Sequence, residues 1–267
     1  MAHHVTTQIV LEVPSPVELI LAIAPTSATP ETETLRFHGP TADLTVTPIA
    51  DVHRGRLHQV HAPAGSLTID YAATVEAGVV AESLHLDPAD RVRYLRPSRY
   101  SQSDLLFSVA RTEFAGVAEH DLVPTVRDWV ASHLHYVPGV SKPTDSAVET
   151  YLARAGVCRD FAHLTIALLR AMDVPARMVS VYAPGLDPMD FHAVTEAWTG
   201  DRWITVDATG LAPRHTMLRI ATGRDAADTA FLTSHGNDLT LTSLFISATV
   251  DDFSVEQDVG AQVQLPD

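Results

Sequence analysis

His192-Ala193-Val194-Thr195-Glu196-Ala197-Trp198-Thr199-Gly200-Asp201-Arg202-Trp203-Ile204-Thr205-Val206-Asp207 contains two short alternating runs separated by a Thr-Gly-Asp break. Period-two segments around a glycine turn predict two antiparallel strands joined as a hairpin, about 192–198 and 203–207. The start of the first strand then lies beside the end of the second. His192 and Asp207 are therefore expected as neighbours at one end of a sheet, although 15 positions (207 − 192) separate them.

Outward from the hairpin, Arg177 to Tyr182, Met217 to Ala221 and Leu244 to Val250 are further strand candidates. Upstream the period is helical. Ser103-Asp104 opens a stretch through Glu113 that closes at Gly116, and Asp121 to His135 carries Val126, Trp129, Val130 and Leu134 on one face. Ser146-Ala147-Val148-Glu149 is a capping box that opens a helix ending at Gly156. The next helix starts at or near Cys158, turns Phe161, Leu164, Leu168 and Met172 inward, and stops at Asp173-Val174-Pro175.

From Thr6 to about Ala77 the period is two again, with strands expected at Gln8 to Val13, Leu44 to Ile49, Leu57 to His61 and Ser66 to Tyr71. Leu86 to Pro97 breaks the alternation and reads as a crossing linker. The expected class is α+β. Residues 1–97 form an antiparallel β-sandwich-like domain, and residues 98–267 a core of helices packed on an antiparallel sheet.

With 46% hydrophobic residues in 267, the chain can bury a substantial core. Its formal charge of −15, from 18 Lys+Arg against 33 Asp+Glu, argues against nucleic acid or an anionic membrane surface as a partner. One cysteine cannot form an internal disulfide, so folding does not require an oxidising compartment. The first residues lack a charged and apolar secretion signal, and the longest apolar runs, Leu19 to Pro25 and Leu164 to Met172, fall well short of the roughly 20 residues a bilayer needs. A cytoplasmic protein without a membrane span is expected; the oligomeric state is left open.

Cys158 stands where a turn runs into a helix. Backbone N–H groups and the positive dipole end there favour a thiolate. Such a nucleophile needs a base, and the base needs a third group to fix its tautomer and support its charge. His192 and Asp207 supply these roles if the helix start packs against the hairpin's end.

The surrounding words carry a resemblance. Gly156-Val157-Cys158-Arg159-Asp160-Phe161-Ala162-His163-Leu164, Pro175-Ala176-Arg177, Asp190-Phe191-His192-Ala193 and Trp203-Ile204-Thr205-Val206-Asp207-Ala208-Thr209 resemble the bacterial transglutaminase-like cysteine protease superfamily. Tyr94-Leu95-Arg96-Pro97-Ser98-Arg99-Tyr100 and Gly223-Arg224-Asp225-Ala226-Ala227-Asp228 extend it to roughly 94–231. The resemblance implies Cys158 as nucleophile, His192 as base and Asp207 as its orienting carboxylate, with a β-rich domain before the core. Val194 replaces a usual tryptophan, and Ala208 a usual proline.

Asp160 is expected to cap the helix start or pair with an arginine, and His163 to hydrogen-bond a nearby loop. The Cys158 N–H is the first choice for an oxyanion donor, with Gly139-Val140-Ser141 along the cleft as a second. The remaining histidines and acids lack metal-ligand spacing, so no metal and no cofactor is expected. The expected reaction is hydrolysis of a peptide or isopeptide-like amide through a thioester. Acyl transfer to an amine and a catalytically silent interaction module remain as alternatives.

Overall fold

Alternation governs the first strand: along β1 (Ala2–Val13) the odd-numbered residues Val5, Thr7, Ile9, Leu11 and Val13 are buried, while the even-numbered ones reach toward solvent. The computed structural model describes residues 1–26, 30–76, 86–256, 258 and 261–265. Strands β2 (Val17–Leu21), β3 (Thr32–His38), β4 (Thr47–Ala50), β5 (Arg56–Ala62) and β6 (Gly65–Glu76) follow. The helical stretch contains α1 (Pro88–Leu95), α2 (Phe107–Glu113), α3 (Glu119–His133), β7 (His135–Tyr136), α4 (Ala147–Ala153), β8 (Ala155–Gly156) and α5 (Cys158–Ala171). The chain ends with β9 (Ala176–Tyr182), β10 (Phe191–Trp198), β11 (Trp203–Val206), β12 (Leu218–Gly223), α6 (Ala226–Thr229), β13 (Leu232–His235) and β14 (Thr240–Val250).

Among the described residues three antiparallel four-stranded sheets carry the architecture, ordered β14-β1-β6-β3, β13-β2-β5-β4 and β11-β10-β9-β12. The first two share one apolar core built on Ile9, Leu11, Leu19, Leu21, Phe37 and Ile69. The third supports the helices. The last two strands return to the front of the molecule: β13 pairs with β2, and β14 with β1. The boundary expected at Pro97 is therefore crossed by residues 232–250, because the unpaired edges of β1 and β2 are completed by the other end of the chain.

The linker expected over 86–97 contains α1. Asp87 accepts from the N–H groups of Ala89 and Asp90, and Pro88 occupies the first turn, where its missing N–H costs nothing. Of the strand expected at 44–49, only 47–50 forms; the Leu44 N–H instead donates to the Phe37 carbonyl in the turn after β3. Helix α4 has the expected Ser146–Glu149 capping box but ends three residues before Gly156, with Arg154 in the left-handed region at φ 57°. All residues of α5 from Asp160 to Ala171 are buried. The single inward stripe expected there is replaced by burial on all sides, because α3 and α4 pack on one flank and β9 and β10 on the other.

Candidate active site

Two backbone hydrogen bonds bring the segment before α4 beside the start of α5. His135 N–H donates to the Arg154 carbonyl, and Val137 N–H to the Gly156 carbonyl, each at 2.9 Å. This short parallel pairing sets Tyr136 next to Cys158, close enough for the Cys158 backbone to act on its hydroxyl. Helix α5 begins at Cys158 because Asp160 closes its first turn: the Val157 N–H donates to Asp160 Oδ2 at 2.9 Å. Arg159 pairs with Asp160 Oδ1 at 3.0 Å and donates to the Lys142 carbonyl at 2.7 Å and to Ser141 Oγ. The expected capping and pairing roles of Asp160 thus occur together. Residues 141–142 are tied to the first turn of α5 through Arg159.

The hairpin forms as expected, with Thr195 opposite Val206 and Trp198 opposite Trp203. One step further along that register Asp207 falls beside Val194, so His192 is its diagonal neighbour on the same face. His192 Nε2 and Asp207 Oδ2 are 2.9 Å apart, and both residues are buried. The other Asp207 oxygen accepts from the Thr209 N–H at 2.8 Å and from the Thr209 hydroxyl at 2.7 Å. With Nε2 engaged, Nδ1 is the ring nitrogen left for the thiol, and Cys158 is the group that faces the ring from α5.

Burial alone would lower the His192 pKa. The Asp207 charge and hydrogen bond, joined by Cys158, outweigh it and raise the pKa to about 10. Burial acts on Asp207 in the opposite sense, and His192 with the two Thr209 donors keeps its pKa below the ordinary value. Tyr136 is pushed up to about 12, first by burial and then by the charges of Cys158, Asp190 and Asp207, so its hydroxyl keeps its proton near neutrality. Nothing in the spacing of the sequence singled out Tyr136. An aromatic residue 22 positions before the cysteine (158 − 136) becomes a site residue only through the β7–β8 pairing.

The back of α5 explains the outlying words. Arg170 donates to the carbonyls of Ala176, Arg96 and Arg224 and to Ser98 Oγ, at 2.7 to 3.0 Å. Asp225 Oδ2 accepts from the Tyr100 N–H at 2.8 Å, and the Tyr100 ring stacks on His163 at 5.3 Å. His163 Nε2 accepts from the Ala226 N–H at 3.2 Å, so its partner is the first residue of α6 and not the loop expected for it. Burial lowers its pKa to about 3, so His163 is a neutral packing residue. Glu196 is buried between Arg177 and Arg219, with contacts of 2.6 to 3.0 Å. Burial opposes its ionisation, but the two guanidiniums bring its pKa to about 2.

The end of the sheet that bears His192 is anchored in the first core. Tyr182 Oη donates to the Ile23 carbonyl and shares a hydrogen bond with Thr7 Oγ1, both at 2.8 Å, while Phe191 stacks on Phe231 at 5.0 Å. The face of the sheet away from α5 is covered by the C-terminal segment, where Leu265 is buried against Val179, Val181 and Val194. Arg214 holds that segment through Glu256 and the Ala261 carbonyl. Among the described residues no three His, Cys, Asp or Glu side chains converge as a metal site, and no helix is long and apolar enough to cross a membrane.

Residues 112–208, a span that includes Cys158, His192 and Asp207, match the model of the transglutaminase-like superfamily. A solved structure of a proposed cysteine protease from Cytophaga hutchinsonii superposes with a TM-score of 0.87 at 33% identity, covering 98% of this chain and 96% of that one. The uncharacterized protein ML0607 of Mycobacterium leprae is 28% identical over 192 residues, 64% of this chain and 68% of its own. The uncharacterized protein Rv2569c of Mycobacterium tuberculosis is 36% identical over 126 residues, 40% of each chain. The family model takes in the whole span from Cys158 to Asp207, and the Cytophaga protein matches in sequence and fold over nearly its full length; the chain belongs to the transglutaminase-like superfamily.

Proposed function

We propose that the protein is a thiol enzyme that hydrolyses an amide bond in a peptide or protein through a Cys158–His192–Asp207 triad and a thioester. The observation that carries this reading is the buried 2.9 Å contact between His192 and Asp207 at the start of the cysteine-bearing helix. A histidine held cationic between a carboxylate and a thiol has the charge needed to support a sulfur nucleophile and then act as general acid.

The Cys158 sulfur adds to the amide carbonyl carbon and the carbonyl π electrons move onto oxygen. The Cys158 N–H and the Tyr136 hydroxyl, neighbours in the resting site, act as donors to that oxyanion. Collapse of the tetrahedral intermediate breaks the C–N bond, and His192 gives its proton to the departing amine. His192, now neutral and oriented by Asp207, takes a proton from water as it attacks the thioester. The carboxylic acid leaves and the thiol is restored.

Hydrolysis is preferred because the protein that matches over nearly the full chain is a proposed cysteine protease. The cytoplasm is the proposed compartment, since the lone thiol has to stay reduced to act. The test is a proteome-derived peptide library incubated with and without a primary amine. Cleavage alone supports hydrolysis, and amine incorporation would replace it with transamidation. A Cys158→Ala variant that still turns substrate over would overturn the triad. Slow iodoacetamide labelling of Cys158, unchanged by His192→Ala, would favour a silent module.

A further inference from the structure

The segment that carries Tyr136 presents an unpaired strand edge beside the nucleophile. In the parallel β7–β8 pair, His135 stands opposite Ala155 and Tyr136 opposite Gly156. His135 and Val137 turn their N–H groups toward β8, where the carbonyls of Arg154 and Gly156 accept them. Backbone alternation then sends the N–H and C=O of Tyr136 to the opposite edge. Among the described residues no backbone group pairs with either of them, and Tyr136 is 40% exposed. An extended edge with unmet backbone groups is a template for another chain.

This edge is preset and apolar. Pro138 keeps Val137 out of the helical region and so holds it extended. Arg159, the residue after the nucleophile, fixes the far end of the segment through the Lys142 carbonyl at 2.7 Å. Val137 and Val140 are 36% and 51% exposed, and the bond from Val137 N–H to the Gly156 carbonyl holds them two residues from Cys158 in the facing strand. β7 follows directly on α3, which packs on the flank of α5 opposite β10. His192, on β10, takes the leaving amine; the flank of β7 is left for the acyl side.

We propose that β7 is the docking edge for the acyl side of the substrate, an extended polypeptide segment whose main chain pairs with the N–H and C=O of Tyr136 and whose apolar side chain rests on Val137 and Val140. The inference rests on the hydrolase reading and names the substrate class for it. The docked chain lies two strand spacings from β8, about 10 Å, and an extended chain covers that distance in about three residues. The substrate is therefore an unfolded stretch of polypeptide and not a small amide. An edge of two residues is too short to hold a second copy of the protein by itself.

Cys158 in the intact protein reports on docking without a known substrate. Its rate of alkylation is measured with peptidyl chloromethyl ketones of one to five residues, each divided by the rate with chloroacetone; in every case the thiolate displaces chloride. The ratio should rise about tenfold between two and four residues as the chain reaches Tyr136. N-methylation of the peptide should lower it about two- to tenfold at one position and leave the adjacent position unaffected, since alternate residues face the edge. The preference for leucine over serine at the docked position should fall about three- to tenfold in Val137→Asp or Val140→Asp.

A ratio that does not grow with length overturns the inference. So do equal losses on N-methylation at adjacent positions, a leucine preference unchanged in both variants, or an advantage confined to iodoacetyl-peptides, which extend on the leaving side. A peptidyl rate that falls as the protein is concentrated into dimers assigns the edge to a second copy and overturns it as well. Hydrolysis of small amides with no gain from length removes the docking edge and leaves the hydrolase reading intact. Length-dependent alkylation by sequences whose amides are never cleaved keeps the edge and sinks the hydrolase reading.

Discussion

The Asp160 carboxylate fills the space that a side chain on Gly156 would need: a Cβ there would lie 2.6 Å from Asp160 Cβ and 2.8 Å from its Oδ2. The missing side chain lets Asp160 fold back onto the Val157 N–H and so fixes where α5 begins. Gly156→Ala should cost about 1–3 kcal/mol by overpacking, and Asp160→Ala about 1 kcal/mol by loss of the cap. Denaturant unfolding measures both. Iodoacetamide labelling of Cys158 should slow in each, because the helix start carries the thiol.

Asp207→Asn keeps the shape of the side chain and removes its charge. The His192 ring then loses the partner that supports its cation. Turnover should fall about 10²- to 10⁴-fold with the circular dichroism spectrum preserved. Wild-type kcat/KM in this variant would exclude Asp207 from the triad.

Tyr136→Phe removes one of two proposed oxyanion donors and leaves the ring packed beside Phe161, whose centroid is 6.0 Å away. The expected loss is about 10- to 10³-fold in kcat, with KM little changed. Since the tyrosine pKa is pushed up to about 12, the effect should be the same throughout the neutral range. A kcat equal to wild type would leave the Cys158 N–H to act without it.

The His192–Asp207 pair should stabilise the fold over a defined pH window. His192 is raised from 6.5 to about 10, so its contribution is fully present below 6.5 and is lost as pH rises through about 10. Asp207 is lowered from 3.8, so its contribution is present above 3.8 and is lost as pH falls through the lower folded value. The difference in Tm between wild type and Asp207→Asn should be widest between 3.8 and 6.5 and close toward pH 10. A difference that grows on the alkaline side would contradict this account.

Glu196→Gln leaves Arg177 and Arg219 buried beside a neutral amide. Removing one partner of such a cluster typically costs about 3–5 kcal/mol. Under native conditions the folded fraction should retain its Cys158 labelling rate, which separates this structural role from the chemistry. The buried contact of Arg177 with the Trp203 ring, 4.0 Å from guanidinium carbon to centroid, should be disturbed as well, and Trp203 fluorescence would report it.

Much of the site was legible because its parts lie on short local patterns. The Thr199–Asp201 turn set the register that brings His192 to Asp207, and the break at Gly156 announced the start of α5. Tyr136 was not legible as a residue of the candidate site. It has no local pattern that says what faces it, and it reaches Cys158 only because two two-residue strands pair in parallel. The linker expected at 86–97 was misjudged for a related reason: Asp87-Pro88 ends alternation but also suits the first turn of a helix, and packing decided between the two.

By itself, the sequence determined the α+β class, the positions of the central helices and strands, and the meeting of His192 with Asp207 across a hairpin, because periods, caps and turns act between residues a few positions apart. Tertiary structure decided what those elements do together. It returned β13 and β14 to the edges of β2 and β1, enclosed α5 on every side, tied Arg170 to the segments on either side of the core, and buried Leu265 against Val194, on the sheet face that also carries His192. Those outcomes depend on pairing exposed strand edges and excluding water from apolar faces far apart in the chain, and no local pattern encodes which distant partner will meet that need.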